Sequence, residues 1–479
     1  MIGLSGFYVE EAGIIHPTEA GLTVSPARAA GTVVVPSSKS HTIRALLIAA
    51  CADGISHIAN CLDSADARSC IAALEVLGCS VEETGRSATG VSLAVTPPPG
   101  GILSSRPEAE PLSLDVGNSG TTLYLLAALA AQREQPVTFD GDRSIRSRDA
   151  GPLLKALTEM GATLTGGPRA PFTLQGPLRP GTCISFPSPT SQFLSALLLT
   201  APLIPASGPD PEPTVLEPQV LHERPYVDMT CWWLEAQHIS LERQEYQRFI
   251  IPPGQHYQPV RTSLPGDYSS ATFWFAAAAV TGGTITVEGL EPEDVQGDRK
   301  VLDIFSALGC TVQWHRSDAS TPAVSVTGPI TRGGTFDLNA MPDALPALAA
   351  AACYAPEPVS LTNVPQAREK ETDRIDVMTR ELTALGALIE EHPDGMTVKP
   401  RKATCSGQPP LEGGTLHSHG DHRVAMAGAV AALGAAAPVR IIDAEAAAVT
   451  YPAFFAELAR LAPGSLLPGR TEPPAEGLA

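Results

Sequence analysis

Aromatic side chains are scarce in this 479-residue chain, at 5%, and lysine is scarcer still, with six copies against 26 arginines. Charged residues make up only 17%, and the basic ones fall short of the acidic ones, leaving a formal net charge of −19. A chain so poor in cations and aromatics lacks the basic surface and stacking platforms that supply affinity for nucleic acid, so nucleic acid is not an expected partner. No CxxC occurs, and the nine cysteines are an odd number whose closest pairs, Cys61 to Cys70 and Cys70 to Cys79, lie nine residues apart. That spacing offers neither a disulfide framework nor a zinc site, and the expectation is a reduced, metal-free cytoplasmic protein. The stretch 1–17 contains Glu10 and Glu11 and no Lys or Arg, so it does not read as a secretory signal. The Ala-rich runs Leu345–Ala355 and Val424–Ala437 are too short to span a bilayer and read as buried helices with tight neighbours.

What the chain has is a 43% apolar composition, enough to bury a sizeable core, and a length that predicts two or three domains. One pattern recurs: an Asp/Arg cluster, an amphipathic stretch, a Gly stop and an alternating apolar run. It occurs at Asp63-Ser-Ala-Asp66-Ala-Arg68 through Gly78, Arg148-Asp149 through Gly161, Asp298-Arg299 through Gly309, and Asp373-Arg374 through Gly386. Asp suits a helix start, where free N–H groups and the positive dipole end lie, and Gly suits the left-handed residue after a helix end. Gly78 and Gly161 lie 83 residues apart and Gly309 and Gly386 lie 77 apart. Such periods exceed those of solenoids and point to large βα repeats. The proline-rich segment Ala206–Pro218 reads as an extended loop, and the Pro/Gly/Glu-rich tail 464–479 as disordered. Turn-rich points near Ser37 and at Pro265-Gly266-Asp267 read as crossings between domains.

Four clusters could carry chemistry. Lys39-Ser40-His-Thr-Ile-Arg44 opens an apolar helix beginning near Ser40, where Lys39 and free N–H groups can face an anion; an ordinary Ser-capped helix reads equally well from these residues alone. Gly117-Asn118-Ser119-Gly120-Thr-Thr122 lets backbone approach a ligand closely, or is a plain strand-to-helix turn. Arg368-Glu-Lys370-Glu371-Thr-Asp373-Arg374 is either a solvated helix start or an acid–base pair set against an anion. His417-Ser-His419-Gly-Asp421-His422-Arg423 fits an anion held by Arg423 at a helix start better than a metal. Cations concentrated at such points in an acidic chain suit a substrate with several anionic groups.

In their order along residues 23 to 460, these clusters resemble the enolpyruvyl transferase family, in the branch that acts on 3-phosphoshikimate. Ser38-Lys39-Ser40-x-x-x-Arg44-Ala45 is similar to SKSxSNRA, and Gly117–Thr122 to GNSGTT. Gly141-Asp142 through Arg148 is similar to GDxSLxxRP, and Thr190-Ser191-Gln192-Phe-Leu to SSQFLTALL. Lys370-Glu-Thr-Asp-Arg374 matches KETDR, and Asp421-His-Arg-Val-Ala-Met426 matches DHRxAM. The sister branch, which uses UDP-N-acetylglucosamine, is less similar: it has Lys-Asn at Lys39-Ser40, and a Cys in the loop that runs here from Asp140 to Gly151 and holds none.

The resemblance implies an α/β fold, a two-domain inside-out α/β barrel whose domains each contain three βαβαββ units with pseudo-threefold symmetry. Domain 1, 38–264, would be the shikimate-phosphate side, and 1–37 plus 265–463 the phosphoenolpyruvate side, with the active site between them. The implied reaction moves the carboxyvinyl group of phosphoenolpyruvate to the 5-hydroxyl of 3-phosphoshikimate, in a monomer with no metal or organic cofactor. Carried over by motif, Lys39 contacts the phosphates, Ser40 and Arg44 the acceptor carboxylate, Thr190 and Ser191 its 3-phosphate, and Gln192 and Tyr226 its ring. Gln366 and Lys370 complete that side, with Lys370 near the reacting hydroxyl. Asp343 accepts the hydroxyl proton and Glu371 protonates the enol carbon. Asn118, Gly120, Arg148 and Gln192 serve the phosphoenolpyruvate phosphate, and Arg374 and Arg423 fork onto its carboxylate.

Five positions depart from the family pattern. Val449 replaces a Lys before Tyr451-Pro452, Tyr124 an Arg, Glu223 a Ser that serves the 3-phosphate, Gln366 an Asn, and Ser37 a Gly. Arg143, Arg146 and Arg299 are candidates for the missing charge. Glu223 and Val449 favour a relative with another acceptor, and a ligand-binding protein that keeps the cleft without turnover is a further alternative; the retained Lys39, Asp343, Glu371, Arg374 and Arg423 favour a working transferase.

Overall fold

The computed structural model describes residues 21–104, 110–315, 322–401 and 409–466, together with the backbone of Gly3–Leu4, Phe7–Val9 and Ile15–Pro17. The expected tail therefore lies, from 467 on, outside the described residues. Among the described residues six helices are buried on nearly every face, a pattern that is stable only when protein surrounds the helix. Lys39–Ala50, Gly120–Ala130 and Ser191–Thr200 form one set, and Tyr268–Thr281, Leu345–Ala352 and His422–Leu433 the other; nearly every residue in them is buried. Small side chains, as in Ala347–Ala352 and Ala276–Ala279, let these helices approach one another closely.

The chain divides into two compact units, one of Pro36–Asp267 with Glu293–Gly297, the other of Met1–Val35, Tyr268–Pro292 and Asp298–Ala479. Among the described residues each surrounds its own helix set with three small sheets, all four-stranded but the one beginning at Gly414, which has three strands; the second unit also holds an antiparallel sheet of Gly3–Leu4, Phe7–Val9 and Ile15–Pro17. In the first, Leu112–Asp115 runs parallel to Val137–Asp140, which pairs antiparallel with Phe172–Gln175, and that strand with Thr163–Gly166. The parallel pairs of the other five sheets begin at Cys183, Arg261, Gly31, Gly334 and Gly414. The strands alternate buried and open residues, as in Val91–Thr96, so one face meets the helices. Helices inside and sheets outside, three repeats to a unit, is the inside-out α/β arrangement that the resemblance implies.

Each unit has sheets completed by a strand distant in sequence, in the second unit also where Leu22–Val24 pairs with Val439–Ile442. Gly31–Val34 precedes the helix Lys39–Ala50 but pairs with Thr284–Glu288, so that Gly31 faces Ile285. Arg261–Ser263 precedes Tyr268–Thr281 but pairs with Ser56–Cys61, so that Arg261 faces His57.

The Asp/Arg-to-Gly pattern marks the outer helix of a repeat. Ala65–Val76, Gly151–Glu159, Val301–Ala307 and Arg374–Ala384 each stop before a Gly of positive φ, at Gly78, Gly161, Gly309 and Gly386. Among the described residues there are six such helices, and the sequence shows four. Arg224–Ala236 is followed by His238 at φ +56°, a left-handed residue without the glycine signature, and Phe454–Leu461 by Gly464 near the chain end. The first helix begins at Lys39, beside the expected Ser40, with Ser38 as its cap, whose side chain accepts from the His41 N–H. One expectation needs correction. Ala206–Pro218 is a loop only as far as Pro213; Thr214–Leu221 is a strand parallel to Cys183–Ser188, and Pro218 sits at a register shift. Among the described residues no helix is long and apolar enough to cross a membrane.

Candidate active site

In the unit Pro36–Asp267 the motif residues cluster at the starts of the three buried helices. Each start is capped by a hydroxyl, Ser38, Ser119 or Thr190, which accepts one backbone N–H and leaves the positive dipole end for an anion. Lys39 Nζ lies 3.0 Å from Asp66 Oδ2. The Asn118 amide donates to Asp142, and Gln192 Nε2 donates to Thr121 Oγ1 at 3.1 Å, tying two helix starts together. Arg148 passes directly over Gly120, where a Cβ would come within 2.2 Å of its Nη1.

Arg44 is buried and donates to Thr230 Oγ1 at 2.9 Å, Ser40 O at 3.0 Å and Tyr226 O at 3.1 Å. Burial pushes its pKa down to about 10, so it remains a cation at neutral pH. Tyr226 is half-buried beside it, and Ser40 is half-buried on the first turn of its helix. His41, to which the sequence drew no attention, accepts from the Trp233 indole N–H at Nδ1 (3.1 Å) and meets Asp294 through Nε2 (3.2 Å). An indole N–H can only donate, so the ring proton sits on Nε2 and faces the carboxylate. Asp294 is held low: burial would raise it, and the bond and charge of His41 together with the two Gln296 bonds outweigh that. This contact anchors the Glu293–Gly297 segment in its unit.

Glu223 is the departure with the most visible consequence. Its side chain is buried, and Oε2 accepts from Ser191 Oγ at 2.9 Å and from Ser191 N and Thr190 Oγ1 at 3.2 Å each. Tyr124 is absorbed into the core, edge-on to Phe193 with ring centroids 5.0 Å apart. Arg143 is exposed, and Arg146 pairs with Asp140 at 2.6 Å.

In the other unit, Arg374 is the hub of a buried ion network. At 1% exposure it donates to Asp421 from Nε (2.9 Å), to Asp343 from Nη1 (2.8 Å) and to Glu371 from Nη2 (2.5 Å). Arg423 Nη2 donates to the second oxygen of Asp343 at 2.9 Å, so two guanidiniums fork onto one carboxylate. Burial opposes the charge on Arg374, but the carboxylates of Asp421, Glu371 and Asp343 hold it firmly cationic. Burial would likewise raise Asp421, and the charge of Arg374 holds it below the usual range. Gln366 is buried nearby in sequence to Lys370; its Nε2 donates to Asn339 O at 3.1 Å, while its Oε1 finds no acceptor bond among the described residues. Lys370 is half-buried at the end of that turn. Val449 is half-buried on a short 3-10 turn, and Arg299 donates to the Pro292 carbonyl.

The structure thus brings Asp343, Glu371, Arg374 and Arg423 together in one unit, and gathers Lys39, Asn118, Gly120, Arg148, Thr190, Ser191 and Gln192 at helix starts in the other. Sequence reasoning quoted Asp421 within two motifs but gave it no role; it is the innermost carboxylate of the network and also caps the helix His422–Leu433 by accepting from Arg423 N. The available signal was an Asp one position before an apolar helix. His419 lies 2.8 Å from Glu381, and among the described residues no three His, Cys, Asp or Glu side chains gather as a metal-binding group.

The arrangement offers a carboxylate-recognising pair of arginines beside two carboxylates able to move protons, and anion-binding helix starts with a lysine and an arginine. Residues 24–458 match the family described as EPSP synthase (3-phosphoshikimate 1-carboxyvinyltransferase). A protein of that name from Acetivibrio thermocellus is 40% identical over 443 residues, covering 92% of this chain and 97% of the relative. One from Methanothrix thermoacetophila is 40% identical over 446 residues, covering 92% and 98%. Among solved structures, EPSP synthase from Acinetobacter baumannii superposes with a TM-score of 0.74 at 25% identity, covering 92% of this chain and 98% of that one.

Proposed function

This chain belongs to the EPSP synthase family, and from that premise we propose that it transfers the carboxyvinyl group of phosphoenolpyruvate to the 5-hydroxyl of 3-phosphoshikimate, releasing phosphate. The observation that carries the reading is the fork of Arg374 and Arg423 on Asp343, with Glu371 on the same guanidinium. An alcohol adding to the enol phosphate carbon of phosphoenolpyruvate must lose its proton while the methylene carbon gains one. Collapse of the adduct then expels phosphate, and the loss of a methyl proton restores the double bond. Asp343 takes the hydroxyl proton and Glu371 serves the methylene carbon, each step of this kind contributing about 10²–10⁴-fold. Arg374 and Arg423 exchange Asp343 for the phosphoenolpyruvate carboxylate. Lys39, Asn118, Gly120, Arg148 and Gln192 hold its phosphate. Ser40, Arg44, Thr190, Ser191, Gln192, Tyr226, Gln366 and Lys370 hold the acceptor, the open Oε1 of Gln366 suiting a hydroxyl donor. The reading takes the enzyme as a cytoplasmic monomer that needs no metal or organic cofactor, and assigns 38–264 to the acceptor and 1–37 with 265–463 to phosphoenolpyruvate.

Phosphate release from the purified chain, with the product identified by mass, tests it: release is expected only when phosphoenolpyruvate and 3-phosphoshikimate are both present. No release from folded protein given both, or release that needs only one of them, would remove the reading. A second expectation concerns Gly120. A methyl there must push the Arg148 guanidinium aside, which costs little stability because the clashing atom ends a flexible side chain. Gly120→Ala is therefore expected to fold normally and to raise KM for phosphoenolpyruvate about tenfold through a weakened charged hydrogen bond. An unchanged KM in steady-state kinetics would separate Arg148 from the phosphate.

A further inference from the structure

We propose that Glu223 is a built-in plug of the acceptor's phosphate subsite and the residue that sets how strongly this chain selects a phosphorylated acceptor. The inference rests on the reading above for the identity of the acceptor. Three observations lead to it. The start of Ser191–Thr200, a ten-residue buried helix, presents a backbone N–H and two hydroxyls, from Thr190 and Ser191. One carboxyl oxygen of Glu223 already collects all three, at 2.9 to 3.2 Å. The carboxyl is built into place: Glu223 is 2% exposed and sits at φ +57°, in the left-handed region where a Glu is strained.

A residue held in an unfavourable backbone conformation, with its charged end against a helix start, behaves as a tethered anion. A phosphate presented to Thr190 and Ser191 meets the same donors and a like charge. It can bind only after the Glu223 side chain has swung out, so the apparent affinity is lowered by the cost of breaking those bonds. An acceptor without the phosphate makes no such demand. Glu223 therefore narrows the preference for the phosphorylated acceptor over its unphosphorylated counterpart.

The test uses the full chain as wild type, Glu223→Gly and Glu223→Gln, with folding checked by thermal unfolding. Glycine accepts the positive φ and opens the helix start; glutamine keeps the size and removes the charge. Calorimetric titration with 3-phosphoshikimate is expected to show binding about 10- to 100-fold tighter in Glu223→Gly, the range of a charged hydrogen-bond set, and a smaller gain in Glu223→Gln. Binding of unphosphorylated shikimate is expected to stay as in the wild type. Equal or weaker binding of 3-phosphoshikimate in both folded variants overturns the proposal, as does an equal gain for shikimate, and either result leaves turnover by the wild type, and so the reading of its function, standing. The converse is also distinguishable: if no form binds 3-phosphoshikimate but Glu223→Gly alone gains binding of inorganic phosphate, the plug stands and the acceptor has been misidentified.

Discussion

Asp343→Ala is expected to lower kcat for phosphate release by about 10²–10⁴-fold, the range for removal of a positioned general base, while KM for phosphoenolpyruvate falls. The two effects have opposite signs because Asp343 has two relationships. It is the proposed base, and it also occupies donors of Arg374 and Arg423 at 2.8 and 2.9 Å. Removing it releases one donor nitrogen of each guanidinium, Arg374 Nη1 and Arg423 Nη2, toward the substrate carboxylate. The fold is expected to survive, since Arg374 retains Glu371 and Asp421. Steady-state kinetics with each substrate varied in turn reads both quantities. An unchanged kcat with a lowered KM would leave Asp343 as an ion-pair partner only and move the base elsewhere.

Asp421→Ala is expected to cost stability instead, about 3–5 kcal/mol, the usual penalty for removing one partner of a buried ion pair. Asp421 is fully buried, and besides Arg374 it accepts from Thr372 Oγ1 at 3.1 Å and from Arg423 N at 2.9 Å. Its loss strands part of the charge on Arg374 and uncaps a helix. Asp421→Asn should cost less, since an amide oxygen can still cap. The pH dependence follows from the depressed carboxyl. Its contribution is fully present above the unfolded value of about 4 and is lost as pH falls through the lower folded value. Denaturant unfolding across pH 2 to 7 should therefore show an acid limb in the wild type that is flatter in Asp421→Asn. Equal limbs would mean that the Arg374–Asp421 pair adds nothing net.

Much of the fold was legible in local chemistry. Asp373 before Arg374–Ala384 and Gly386 after it are a cap and a stop that need no information beyond neighbouring residues. The Ala-rich runs declared buried helices because no solvent-facing side is left in them. The reading failed where the local signature was substituted, as at His238, or where a proline-rich stretch ran into an inner strand, as at Thr214–Leu221 between Cys183–Ser188 and Arg248–Ile251. At the site, the acidic and basic clusters were visible, but their pairing was not.

By itself the sequence determined which groups are present and in what order: six ordered motifs, the cations within an acidic chain, the caps and stops of the helices, and therefore the family. Those properties depend on residue type and short spacing. Only the tertiary structure decided that Arg374 engages Asp421 47 positions away and Asp343 31 away, that Arg44 is spent on Thr230 across 186 residues, and that Glu223 fills the helix start at Ser191. Hydrogen bonds and ion pairs act over a few ångströms through space, and burial sets their strength. Sequence separation carries neither quantity, so the partners appear only when the repeats close around their helices.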